Sequence, residues 1–129
     1  MKHLKAYKVF ESSGKLDNNL IGEIEDILQL ELEAKELVFS SWVGNYYPTS
    51  STAKESLIVP IQDKDERFFS PEDIKDTITR LKTFLGDEYE IHLGIPRDLV
   101  YGESLEFIDD FRGEEFYNLT IYIYKKYND

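Results

Sequence analysis

The sequence predicts an α+β fold: two helix-strand-strand units, alike in pattern though not in residues, whose hairpins join into one antiparallel four-stranded sheet with both helices on one face. Three observations predict this pseudo-duplicated layout. Residues 20–28 and 74–85 repeat apolar side chains at helical spacing. Each stretch is followed by two runs with strand character. The second set begins about fifty residues after the first, so the units cover 17–61 and 70–125 of a 129-residue chain, the length of a single domain.

The elements follow in chain order. Residues 3–10 suit a strand or a short helix, and their periodicity does not choose between the two. Asp17 or Asn18 can cap the first helix, with Leu20, Ile21, Ile24, Ile27 and Leu28 as its apolar stripe and Glu23, Asp26 and Glu33 in solvent. Beyond Leu28 apolar and polar residues alternate, which fits a strand as well, and the helix is extended to about residue 33. Strands are expected at 36–43 and 57–61, separated by a polar loop, 44–56, that holds Tyr46 and Tyr47. A charged turn, 62–69, ends in Phe68 and Phe69.

Ser70-Pro71-Glu72-Asp73 is a strong helix start: a capping hydroxyl, a proline at the first position, and two acids at the positive end of the dipole. Ile74, Ile78, Leu81 and Leu85 form its stripe, and Gly86 stops it. Residues 89–95 alternate strictly. In 116–124, Tyr117, Leu119, Ile121 and Ile123 share one face, and Phe116, Asn118, Thr120, Tyr122 and Tyr124 the other. Residues 96–115 are long for a loop, and Leu105, Ile108 and Phe111 suggest a short helix there, capped by Ser104.

Composition excludes several classes of function. Without cysteine there are no disulfides, thiolate zinc sites or cysteine nucleophiles. Lysines interrupt the first ten residues, so no secretory leader is read there, and no run approaches the ~20 apolar residues of a membrane span. A cytoplasmic protein is expected, and the glycosylation sequon at Asn118 is discounted. The net charge of −11 is unevenly placed, with eight acids against two bases in 11–40 and seven against two in 91–115. Such a body repels phosphate backbones and anionic membranes, so neither nucleic acid nor membrane is expected as a direct partner.

No catalytic, cofactor or metal residue is assigned, and the chain is not read as an enzyme. The histidines are His3 and His92. Glu90 and His92 point the same way from one strand, as acid–base or metal chemistry would need, yet a solvated polar pair is the commoner meaning. Asp63-Lys64-Asp65-Glu66 lacks the central glycine and distal glutamate of a calcium loop. Glu106, Asp109 and Asp110 would share one face of a helix, most simply a solvated one. There is no nucleophile elbow and no phosphate-cradling glycine loop.

If helices cover one face of the sheet, Val38, Trp42, His92, Tyr122 and Tyr124 project from the other. Either they form a protein-contact surface, or the N-terminal segment or residues 96–115 fold over them. Trp42, Tyr122 and Tyr124, together with the acidic trio Glu106, Asp109 and Asp110, are the candidate partner-binding residues. The leader 2–12 (KHLKAYKVFES), the helix 24–33 (IEDILQLELE) running into a short strand, and the later SPEDIKDTI helix resemble small accessory proteins of tailed bacteriophages. The resemblance implies an accessory role in the host cytoplasm and carries no activity with it. The expected function is therefore non-enzymatic binding to a host or virion protein, in its sharper form as an acidic inhibitor of a host nucleic-acid-binding protein. The alternatives are a virion or oligomeric scaffold component and, on Glu90 and His92, a metal-dependent enzyme.

Overall fold

The first helix, α1 (Asn18–Glu33), starts where Asp17 Oδ1 accepts a hydrogen bond from the Leu20 amide at 2.8 Å. It buries Ile24, Leu28 and Leu32, while Leu20, Ile21 and Ile27 pack at the margin of the core. The alternation after Leu28 does not break it, because Leu28 and Leu32 lie one turn apart on the same face and Leu30 is left in solvent. This computed structural model describes residues 16–48, 52–95 and 100–126, so His3 and the expected element at 3–10 lie outside the described residues.

Two short strands follow, β1 (Leu37–Phe39) and β2 (Trp42–Tyr46), and then the long β3 (Lys54–Asp63). β1 and β2 pair with β3 in one continuous antiparallel register, Leu37 opposite Asp63 through Tyr46 opposite Lys54. They are one strand interrupted at Ser40-Ser41, opposite Pro60. The Ser40 amide donates to the Pro60 carbonyl, but proline has no N–H to return the bond. A 3₁₀ turn (Pro71–Ile74) then leads into α2 (Lys75–Leu85). Ser70 accepts from the Glu72 amide and Asp73 reaches back to the Ser70 amide, which satisfies donors at the helix start. Gly86, at φ 76°, ends α2 as expected.

A short 3₁₀ turn leads to β4 (Tyr89–Ile95), then β5 (Val100–Glu103), α3 (Ser104–Asp110) and β6 (Asn118–Lys125). The fold is α+β; among the described residues three helices lie on an antiparallel sheet ordered β1/β2–β3–β6–β4–β5. Among the described residues the sheet has six strands, not the four expected. Pro60 divides one strand, and residues 100–103 of the presumed loop turn back to pair with β4. Tyr46 and Lys54 likewise belong to strands rather than to the 44–56 loop.

The helices share one face, with α2 between α1 and α3. Leu57, Val59, Ile61, Ile91, Leu93, Leu119, Ile121 and Ile123 point at them from the strands. Two expectations are corrected here. Phe116 is buried and Tyr117 is exposed, because Phe116 makes a backbone bridge to Phe69 that ends the alternation two residues before β6 begins. In α3 the N-cap is Glu103, not Ser104, and Leu105 faces solvent while Phe107 is core. The buried stripe is Ser104, Phe107, Ile108 and the half-buried Phe111, spaced three, four and seven from the first. No helix among the described residues is long and apolar enough to cross a membrane.

Candidate functional site

The face of the sheet away from the helices builds its own small core. Tyr46, Ile58, Tyr122 and Tyr124 are buried together there. Strand alternation explains their placement: Ile58, Tyr122 and His92 are opposite one another on β3, β6 and β4, and Tyr124 is opposite Glu90. Tyr46 leans across from the outer strand and stacks on Tyr122, with ring centroids 4.3 Å apart. Fully buried Ser56, a small residue, lies on the same face of β3. At the far side Tyr101 lies over its cross-strand partner Gly94. A Cβ at Gly94 would fall 2.3 Å from the ring, so only glycine admits it.

His92 joins this cluster. Its Nε2 lies 3.2 Å from Glu90 Oε1 and its Nδ1 lies 2.8 Å from the Tyr46 hydroxyl. A carboxylate only accepts, so Nε2 carries a hydrogen, and in the neutral imidazole Nδ1 then accepts from Tyr46. Lys126 stands 3.8 Å from the other Glu90 oxygen. The side chains of His92 and Glu90 are only 15% and 28% exposed, so the pair is not the solvated one expected from sequence. It is a carboxylate–imidazole–phenol chain. Burial, followed by repulsion from Tyr124 and Tyr101, raises the Tyr46 pKa well above that of a free tyrosine. Burial thus favours the neutral phenol of Tyr46, whose hydroxyl is held by His92.

Burial is also the main cause of the raised pKa values of Tyr122 and Tyr124, the latter pushed up to about 12 with help from Glu90 and Glu103. A tyrosine whose pKa is raised on folding stabilises fully below the unfolded value of about 10. That contribution is lost as pH climbs toward the folded value. Stability is thus expected to be flat with respect to these groups from pH 7 to about 9, and to fall steeply above pH ~10. Absorbance titration should show Tyr46, Tyr122 and Tyr124 ionising only with unfolding. Titration of every tyrosine near pH ~10 in the folded protein would refute the buried cluster.

The candidate partner residues are separated by the structure. Tyr122 and Tyr124 are 9% and 6% exposed, spent on the cluster and closed to a partner. Trp42 is 52% exposed, over Gly44 on the outer strand. Glu106, Asp109 and Asp110 are exposed on α3, on the helical side of the sheet. Asp63 is taken up by Arg67 and by the Asp65 amide, and the Arg67 hydrogen bond holds its carboxyl below the usual range. Among the described residues no group of three or more histidines, cysteines or acids is gathered as metal ligands would be. Sequence reasoning missed Tyr46. The available signal was the alternation Trp42, Gly44, Tyr46, which continues the strand on the face of Val38. No protein-family model, curated protein or solved structure matches this chain.

Proposed function

We propose that the protein is a non-enzymatic, phage-type accessory protein acting in the host cytoplasm by binding another protein. The proposed partner is a nucleic-acid-binding protein whose cationic surface meets the helical layer. The segregation of charge carries this reading. α1 bears Glu23, Glu25, Asp26, Glu31 and Glu33 and no base; α3 bears Glu106, Asp109 and Asp110 and no base. The bases of the middle helix are partly neutralised, Arg80 by Glu31 at 3.6 Å and Lys82 by Glu103 at 3.1 Å. Glu23, Asp26, Glu106 and Asp110 are exposed with no ion-pair partner among the described residues. Carboxylates spread over both flanks would meet a surface that otherwise receives phosphates, and would steer association.

The test is capture of the partner from host extract, followed by binding kinetics. Reversing Glu106, Asp109 and Asp110 to lysine, or Glu23 and Asp26, is expected to slow association at least tenfold and to change dissociation little. Affinity should fall steeply with salt, since exposed charges are screened beyond ~8–10 Å. A complex indifferent to salt and to both sets of reversals would refute the reading.

A further inference from the structure

The outer edge of the sheet is built unlike the edges of most soluble proteins. Among the described residues β2 pairs only with β3. The Ser40–Pro60 hydrogen bond sets the phase of the ladder: even-numbered residues direct their backbone groups at β3, and Ser41, Val43 and Asn45 direct theirs outward. Among the described residues these outward groups have no backbone partner. Exposed edges are normally blunted by charge, proline or a bulge. Here the chain carries no charged residue from Leu37 to Ala53, although 32% of its residues are charged. α1 packs on β1 and reaches the edge beside β2 at Ser41, whose hydroxyl donates to the Glu25 carboxylate from the helix side. Val43 is 44% exposed on the helix side and Trp42 is exposed on the other, so the strand offers an apolar anchor on each face. The opposite edge, β5, is four residues long and includes Glu103.

We propose that this edge pairs with a second copy of itself, antiparallel about a twofold axis at Val43, to make one continuous sheet across two molecules. Self-pairing is favoured over a foreign strand because a twofold axis sets residues near it against their own copies. Any charge there would face a like charge, whereas an edge made for a foreign strand is free to carry charges matched to that strand. The register follows from the ladder. Centring on Val43 pairs the outward groups of β2 and of Ser41 just before it: Val43 with Val43, and Ser41 with Asn45 twice. It also sets Trp42 of each copy opposite Gly44 of the other, the arrangement the sheet already uses where Tyr101 lies over Gly94. The two indoles then meet on the diagonal, within reach of large side chains. Because the axis is perpendicular to the sheet, the two acidic helical layers lie on the same side of the dimer.

The interface is small against the usual ~20–30 residues a side, so a micromolar dissociation constant is expected. Each copy carries −11, so the dimer should tighten several-fold from low to high salt, opposite to the host complex above. The test is sedimentation of the intact chain from about 10 to 500 µM, with thermal melts to confirm folding. The expected mass rises from 15.1 kDa toward twice that value. Val43→Lys and Val43→Glu should each remain monomeric while melting cooperatively, and an equal mixture of the two should recover the dimer, because position 43 faces position 43. A wild-type monomer at every concentration, a dimer that survives Val43→Lys, or a mixture that stays monomeric would each overturn the proposal.

Discussion

Replacing Phe107 by alanine is expected to cost about 3–5 kcal/mol of folding stability, and replacing Leu105 by alanine no more than about 0.5 kcal/mol. The two residues are neighbours on a short helix and are similar in hydrophobicity. Phe107 is among the largest fully buried side chains, and its ring packs at a tilt against Phe111, 4.6 Å between centroids. Its removal leaves a void where α3 meets β4 and β5. Leu105 points outward. Denaturant midpoints at constant slope measure both. Equal losses would mean that α3 is rotated from the orientation described.

The second large effect is expected at Tyr46. Tyr46→Ala removes a buried ring stacked on Tyr122 and should cost about 3–5 kcal/mol. Tyr46→Phe keeps the stack but leaves His92 Nδ1 without its donor, for about 1–3 kcal/mol. Trp42→Ala, four residues away and exposed, should change the stability of the dilute monomer by less than about 1 kcal/mol. If Trp42 proved the costlier of the two, the inner and outer parts of this face would have been assigned the wrong way round.

These contrasts mark where the sequence was readable. α2 was legible because capping, proline, acidic first turn, apolar spacing and glycine stop all agree, and β4 because its alternation is unbroken. α3 was half legible. Leu105 and Phe107 are both apolar, and only the strands beneath decide which of them turns inward. β2 was hidden by Gly44, Asn45 and Pro48, residues typical of loops, although the glycine has Trp42 above it and the asparagine lies on an edge. The strand at 57–61 was legible despite proline at position 60, because its missing donor falls on the outer side of β3, where it only splits the neighbouring strand. The acidic trio was located correctly as solvent-facing, while Tyr122 and Tyr124 are covered by the side chain of Tyr46, whose only sequence signal is the alternation Trp42, Gly44, Tyr46.

The position of β6 has a consequence for how the protein is made. It is the last element in chain order among the described residues, yet it lies in the middle of the sheet, between β3 and β4. At synthesis rates of about 5–20 residues per second, β3 waits several seconds for its inner neighbour. Until then the nascent chain holds two half-sheets with open inner edges, and the apolar rows of β3 and β4 have no strand between them. Neither half can close alone, so the arrival of Asn118–Lys125 converts separate fragments into a folded protein in a single late step. A ribosome that stalls before this segment would release a chain with its most aggregation-prone edges exposed.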